Sequence, residues 1–158
     1  MHAERSYSER SHGEWMRAAV ADARLALETG DVPVAAIVLD ATGTPIGRGR
    51  NERERSGDPT AHAEILAIRE AAETLGSWRL ENTTLVVTLE PCAMCAGAIL
   101  NARIPRVVFG AWDEKAGAAG SVNDLLRDRR LSHRVEVIAG VEEQACASLL
   151  REFFEVRR

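Results

Sequence analysis

The spacing of apolar residues along the chain switches repeatedly between helical and strand-like patterns. Residues 13–29 carry apolar side chains at helical spacing, and Gly30 ends that segment. Residues 32–39 are almost continuously apolar and predict a buried strand. A turn over 41–44 leads to a second predicted strand over 45–51, so this part of the chain predicts a hairpin.

The rest of the chain continues as helices and strands in alternation. Asp58 and Pro59 have the properties of a helix start, because aspartate caps free N–H groups and proline has none to cap. The further predicted elements are a helix over 58–75, a strand over 83–88, a helix over 91–101, strands over 106–111 and 134–139, and a helix over 142–156. This alternation predicts a three-layer α/β/α domain around one sheet, spanning 14–158. The polar residues 1–13 are predicted to form a flexible extension.

The composition fits one ordered domain without a membrane span. Of the 158 residues, 46% are hydrophobic, which is typical of a globular protein. No apolar stretch approaches the roughly 20 residues that a membrane-spanning helix needs. The N-terminus lacks the apolar centre of a secretory signal, so we expect a cytoplasmic protein without membrane association. The net charge of −4 does not suggest a general binder of polyanions.

The cysteines are too few, and odd in number, for a disulfide framework; they are Cys92, Cys95 and Cys146. Cys92 and Cys95 form a C-x-x-C pair, which is typical either of a redox site or of a metal site. The upstream His62 favours the metal, because it supplies a third nitrogen or sulfur ligand. Cys146 lies in an apolar helical stretch and is interpreted as a core residue.

Three candidate zinc ligands and one carboxylate that is not needed as a ligand indicate a catalytic metal site. Structural zinc sites usually close with four protein ligands, whereas catalytic sites use three and leave a position for water. Cys92 and Cys95 share one face of a helix start, where the helix dipole favours thiolates. Glu64 lies roughly 200° around a helix from His62, so we expect it to face the open position and accept a proton there. Taken singly, His62 would be a core histidine and Glu64 a surface charge.

The order His-x-Glu and then Pro-Cys-x-x-Cys is also the signature of zinc-dependent nucleobase deaminases. From Trp15 to Phe154 the chain resembles the cytidine deaminase superfamily, and in particular its bacterial tRNA-specific adenosine deaminases. The stretches that carry the resemblance are 58–65, 88–98, 117–121, 133–136 and the pair at 153–154. The zinc motif alone indicates the superfamily; the 117–121 stretch and the last helix narrow the resemblance to the tRNA enzymes.

The resemblance implies a cytidine deaminase-like sandwich with a mixed, about five-stranded sheet, assembled as a homodimer. It implies hydrolytic deamination of the wobble adenosine in a tRNA anticodon stem-loop to inosine, using water activated by one Zn²⁺ per subunit. Carried over by position, the implied zinc ligands are His62, Cys92 and Cys95, and Glu64 is the implied proton shuttle.

Several positions match residues of the family that lie near the substrate; they are Asn51, Asp113, Lys115, Phe153 and Phe154. The amide of Asn51 offers both a donor and an acceptor to adenine, and an aromatic ring can stack on a base. Other roles stay open at this point. Asn51 could be a strand-end turn residue, and at least one phenylalanine could pack the last helix onto the core.

Two other functions also stay open. A deaminase of a free base or nucleoside, such as guanine or cytosine, would suit the negative net charge, and the zinc motif alone does not separate these bases from adenine. A non-catalytic zinc-binding subunit would often have lost the glutamate, whereas Glu64 is present. Trp112 departs from the family pattern and could stack on a base or alter a dimer edge.

Overall fold

The computed structural model describes residues 2–131 and 133–157, with the side chains of 2–11 excepted. In chain order the elements are α1 His2–Leu25, a 3-10 turn Ala26–Thr29, β1 Ala35–Leu39, β2 Pro45–Arg50, α2 Arg53–Ser56, α3 Ala63–Leu75, β3 Thr84–Leu89, α4 Ala93–Asn101, β4 Arg106–Ala111, β5 Glu136–Ile138 and α5 Glu143–Val156. The predicted sequence of elements is confirmed, with the short α2 as an addition. Among the described residues, no helix combines the length and the apolar character that crossing a bilayer requires.

The five strands form one mixed sheet in the order β2-β1-β3-β4-β5. β1 runs antiparallel to β2 and β3, whereas β3, β4 and β5 run parallel to one another. Leu89 and Ala111, the last residues of β3 and β4, are partners in the parallel ladder. The segments that follow these two strands therefore leave the sheet side by side, at the edge where open α/β sheets commonly bind ligands.

Alternating side chains of the central strands enter two separate cores. In β1, Ala36 and Val38 join a core that includes residues of α3 and α4. Ile37, which lies between them, joins a second core with Met16 of α1 and Cys146 of α5. Because successive strand residues point to opposite faces, the helices cover both sides of the sheet. The predicted three-layer sandwich and the core position of Cys146 are thereby confirmed.

Two glycines of β2 fix how closely α3 approaches the sheet. A Cβ atom at Gly47 would collide with the backbone carbonyl of Ala67, and one at Gly49 with that of Ala63. Helix α3 therefore lies with its backbone against β2, which only residues without a side chain permit. This contact sets the position of the first turn of α3 relative to the end of β2.

Two helix starts differ from the prediction by more than two residues. Helix α3 begins at Ala63 and not at 58, because the Asp58 carboxylate accepts bonds from the N–H and the hydroxyl of Thr60, at 2.8 and 2.7 Å, within a separate turn. Helix α1 extends back to His2. The flexibility expected of 1–13 stays a prediction, and Met1 lies outside the described residues.

Candidate metal and active site

Two cysteines lie where the chain passes from β3 into α4. Cys92 is the N-cap residue of α4, and Cys95 lies in the first turn of that helix. The peptide N–H of Ala96 donates to the carbonyl of Cys92 at 2.8 Å, which ties the first ligand position to the helix. Free N–H groups and the helix dipole both favour negative charge at a helix start, so this location suits thiolates.

His62 faces these cysteines from the start of a second helix, as the N-cap residue of α3. Its Nδ1 atom lies 3.6 Å from Sγ of Cys92 and 3.5 Å from Sγ of Cys95. All three ligand atoms lie within 4.8 Å of one another. A tetrahedral ion with ordinary zinc–ligand distances would hold a nitrogen and a sulfur about 3.6 Å apart. The donor set and its spacing therefore fit zinc, and these residues could hold the ion.

Protons are shared unequally within this cluster. A hydrogen bond with Cys95 lowers the pKa of Cys92 to about 3. The same hydrogen bond, reinforced by burial, raises the pKa of Cys95, and the contact with Cys92 raises the pKa of His62. A divalent cation at this position would displace these protons, because metal ligands bind in their deprotonated forms.

Glu64 lies in the first turn of α3 and is 4% exposed. Burial raises the pKa of its carboxyl group to about 7. Its side chain lines the same cavity as His62 and Cys92. A carboxyl group that titrates near neutrality can both take up and release a proton. The structure thus brings together the four residues that the motif had singled out.

The cavity has a volume of about 220 Å³. This is below the roughly 300–1,000 Å³ of pockets that enclose a drug-sized ligand, so it suits a group about the size of one base, either free or as part of a larger molecule. Val32, Val34 and Leu89 give it apolar walls, and Arg53 lies at its exposed side. These residues come from the segments around β1, β2 and β3, which the hairpin and the sheet bring together.

Asn51 lies directly after β2 and lines the cavity. It is 8% exposed, and its amide is held from both ends: Nδ2 donates to the carbonyl of Val32 at 3.2 Å, and Oδ1 accepts from the N–H of Arg53 at 3.1 Å. An amide nitrogen carries two donors and an amide oxygen accepts two bonds. Each end therefore retains one hydrogen-bonding position besides these contacts.

Asp113 and Lys115 follow β4 but lie at different places. Asp113 lines the cavity, and its Oδ1 accepts from the N–H groups of Lys115 and Ala116, both at 3.1 Å. Lys115 lies outside the cavity, in a neighbouring surface groove that it shares with Phe154 and Trp112. The structure therefore brings Asp113 to the candidate site and places Lys115 beside it.

The two phenylalanines at the end of α5 have different environments. Phe153 is 6% exposed and carries the guanidinium of Arg157 on its ring, 3.6 Å from the centroid. Phe154 is 50% exposed and lines the groove next to the cavity. The alternative of packing the last helix onto the core suits Phe153, and a stacking surface suits Phe154. Trp112 is 42% exposed and packs edge-on against Phe109, with centroids 4.9 Å apart.

Two buried acids beside the site were not predicted from the sequence, Asp31 and Glu90. Asp31 is 1% exposed and accepts from the N–H groups of Glu54 and Arg55 at 2.6 and 3.3 Å, which fixes the turn of α2 next to Asn51. Glu90 is 2% exposed and accepts three backbone N–H bonds from the segment after β4.

The surroundings of Glu90 favour its ionised form in spite of burial. Burial by itself would raise the pKa of its carboxyl group, but hydrogen bonds from Ser121 and from backbone N–H groups hold this pKa below its ordinary value. The sequence did contain a signal for this residue, because a carboxylate placed between an apolar strand and Pro91-Cys92 requires hydrogen-bond donors nearby. Its partners could not be identified without the fold.

Comparison with known proteins places this site in a family. Residues 9–111 match the model of the cytidine and deoxycytidylate deaminase zinc-binding region. The chain is 46% identical, over 144 residues, to the tRNA-specific adenosine deaminase of Bacillus subtilis (strain 168), a match that covers 91% of this chain and 89% of that protein.

Solved structures with similar folds include two deaminases. A tRNA:A34 deaminase, from studies of A-to-I editing at the wobble position of transfer RNA, has a TM-score of 0.83 and 42% identity over 87% of this chain and 99% of its own. The guanine deaminase from Nitrosomonas europaea has a TM-score of 0.74 and 27% identity over 87% of this chain and 81% of its own. The chain therefore belongs to the zinc-binding cytidine and deoxycytidylate deaminase family and, within it, to the tRNA-specific adenosine deaminases.

Proposed function

We propose that this protein converts the wobble adenosine of a tRNA anticodon stem-loop to inosine, with one zinc ion per subunit. The observation that carries the proposal is the convergence of a His-Cys-Cys cluster and the buried Glu64 on one small cavity. The relative from Bacillus subtilis, at 46% identity over most of both chains, supports adenosine in tRNA as the substrate.

In this proposal His62, Cys92 and Cys95 hold the zinc and Glu64 moves the proton. Zinc, when bound there, lowers the pKa of a water and makes it a nucleophile for the purine carbon that carries the amino group. Two thiolates offset the two positive charges of the ion, so the water needs a nearby base. Glu64 accepts the proton of the water and then donates it to the leaving amino group, which departs as ammonia.

The remaining walls of the cavity orient the base. The free donor and acceptor positions of the Asn51 amide suit the edge of an adenine, which presents both kinds of partner. The apolar side chains of Val32, Val34 and Leu89 contact the ring faces and exclude bulk solvent, so that only the reacting water reaches the base. A single-stranded loop offers such a base at a small energetic cost, because the base is already partly unstacked.

We assign contacts with the flanking RNA to Asp113, Lys115 and Phe154, and we place the protein in the cytoplasm with its tRNA. Asp113 lies at the cavity itself, whereas Lys115 and Phe154 line the adjoining groove. An exposed ring next to a cation suits a stacked base and its phosphate. For Phe153, burial favours a packing role over contact with RNA.

We also propose a homodimer, as in the family that the sequence resembles. Helix α4 leaves Met94, Gly97 and Ala98 only half-buried, next to the metal ligands. Small apolar residues on such a face allow close approach of a second copy. Light scattering of the purified protein would test this proposal: a single-subunit mass at micromolar concentration would reject it.

The function is tested with a synthetic anticodon stem-loop that carries adenosine at the wobble position. We expect inosine and ammonia from the stem-loop, no reaction with free guanine or cytidine, and far slower inosine formation by the variant Glu64→Gln. Deamination of free guanine or cytidine without reaction of the RNA would replace this function by that of a free-base deaminase. One zinc per chain without activity on the RNA or on any free base would indicate a non-catalytic zinc-binding subunit.

A further inference from the structure

We propose that Glu90 is a positioning residue for substrate capture. Its carboxylate holds residues 113–121, called here the 113–121 loop, against the end of β3, so that the substrate-facing wall of the cavity keeps a fixed place relative to the metal ligands. The expected effect of Glu90 on RNA binding rests on the proposed function. Its effect on the position of the loop rests on the structure alone.

The carboxylate of Glu90 joins the two ends of the 113–121 loop. Oε1 accepts from the N–H of Asp113 at 3.0 Å, and Oε2 accepts from the N–H groups of Ala119 and Ser121 at 3.0 and 3.1 Å. The hydroxyl of Ser121 also donates to the carbonyl of Asp113 at 2.8 Å. One buried side chain thereby replaces the regular backbone pairing that a strand or helix would have provided.

The middle of the loop lies directly on the segment that leads to the metal ligand. Gly117 forms an antiparallel bridge with Cys92, and the N–H of Ala118 donates to the carbonyl of Pro91 at 2.8 Å. A Cβ atom at Gly117 would collide with the carboxyl group of Glu90. The loop can therefore occupy this place only because residue 117 has no side chain.

The contacts of Glu90 go to the loop and not to the ligand cluster. The start of α4 has its own support in the bond from the N–H of Ala96 to the carbonyl of Cys92. His62 is fixed separately, by α3 and its backbone contact with β2. Loss of the Glu90 bonds should therefore release Asp113, which lines the cavity, while the zinc ligands stay in place.

The variant Glu90→Gln keeps the shape of the side chain but replaces one acceptor oxygen by an NH₂ group. Whichever way the amide turns, that group faces backbone N–H donors, so at least one bond to the loop is lost. We expect the KM for the stem-loop to rise about tenfold or more, because a hydrogen bond to a charged group stabilises by an amount that corresponds to such a factor. The kcat should change little, since the hydrogen bonds of the Glu90 carboxylate go to Asp113, Ala119 and Ser121 and not to Glu64 or the ligands.

Gly117→Ala gives a second test that retains the carboxylate. The added methyl group should push the loop away from Glu90 and raise KM in the same way, so this variant carries the proposal if Glu90→Gln does not fold. Thr83→Val is the matched structural control. Thr83 directly precedes the first residue of β3, whereas Glu90 follows the last. The substitution removes a buried hydroxyl that donates to the carbonyl of Leu80. We expect Thr83→Val to lower the melting temperature without changing KM.

Zinc content, kcat, KM and amide hydrogen exchange decide the outcome. For Glu90→Gln and Gly117→Ala the proposal expects one zinc per chain, a raised KM, and faster exchange at the N–H groups of Ala119 and Ser121. An unchanged KM would overturn it, and so would a loss of zinc or a fall in kcat alone in Glu90→Gln. Because Gly117 pairs with Cys92, its variant is judged by KM and hydrogen exchange. If the wild-type protein did not deaminate the stem-loop, the proposed function would fail separately. The exchange rates would then decide the role of Glu90, and wild-type rates in the variants would reject it.

Discussion

The two sides of the cavity are built in different ways. The side with the zinc ligands and Glu64 consists of the first turns of α3 and α4, which helix backbone bonds and the core hold in place. The opposite side consists of the 113–121 loop, next to the groove that the end of α5 lines, and hydrogen bonds to the Glu90 carboxylate hold that loop. The first side carries the groups for chemistry, and the second carries the groups proposed to contact RNA.

This difference implies different responses to substitution. Side chains on the ligand side act together on one ion and one proton, so loss of any one of them should lower the rate by orders of magnitude. Side chains on the loop side contribute separate contacts, so each loss should weaken substrate binding by a limited factor.

The largest effect is expected from Cys95→Ala. Two remaining ligands do not hold zinc as three do, so the variant should lose both its metal and its deaminase activity. Zinc content by mass spectrometry and inosine formation would be measured together. Cys146→Ala is the control: this thiol is also buried, at 2% exposure, but belongs to the core on the other face of the sheet. It should lose only about 1 kcal/mol of stability. A Cys95→Ala protein with full zinc content would show that the ligand set is different.

Glu64→Gln is expected to have the next largest effect and to separate metal binding from catalysis. The amide cannot accept the proton of the water, so kcat should fall about 10²–10⁴-fold while zinc content stays at one per chain. Single-turnover rates with the stem-loop would measure this change. Glu70→Gln, on the exposed face of the same helix, should behave as wild type. A near-normal rate in Glu64→Gln would mean that another group moves the proton.

The contrast between the two sides also explains how much could be predicted from the sequence. His62 and Glu64 are two residues apart at one helix start, Cys92 and Cys95 are three apart at another, and such short spacings are converted directly into positions. The meeting of the two pairs was expected from the ligand set and not from spacing, and in the structure their three ligand atoms lie within 4.8 Å of one another. Even there the start of α3 was wrong, because Asp58 caps its own turn at Thr60 and leaves His62 as the N-cap residue.

The loop side could not be predicted to the same degree, because its contacts join residues far apart in the chain. Glu90 and Ser121 are joined by a parallel strand pairing that brings the ends of β3 and β4 together, and no local pattern encodes that contact. For the same reason the sequence did not separate the buried Phe153 from the exposed Phe154. Adjacent residues on a helix point in different directions, but which one faces the core depends on how the helix is docked.

Substitution of these two phenylalanines tests whether the loop side acts through surface contacts. Phe154→Ala should raise the KM for the stem-loop about 5- to 150-fold, the equivalent of one stacked base, with little change in stability. Phe153→Ala should instead lower the free energy of unfolding by about 3–5 kcal/mol, because it leaves a cavity under α5. Urea unfolding and steady-state kinetics would measure both variants. Equal effects of the two substitutions on KM would place both rings in contact with RNA.

The smallest effect is expected from Lys115→Ala, which probes the electrostatic part of RNA binding. Lys115 is the sole lysine of the chain and lines the groove next to Phe154. If it contacts one phosphate, its loss should reduce the slope of log affinity against log salt by about one, since each phosphate contact releases about one counterion. Binding of the stem-loop would be titrated at several salt concentrations. Arg79→Ala is the control, because Arg79 is engaged by Glu81 and by the ring of Trp78 in a different part of the surface. If the slope stays the same in Lys115→Ala, Lys115 does not contact a phosphate, and the groove binds RNA through stacking contacts.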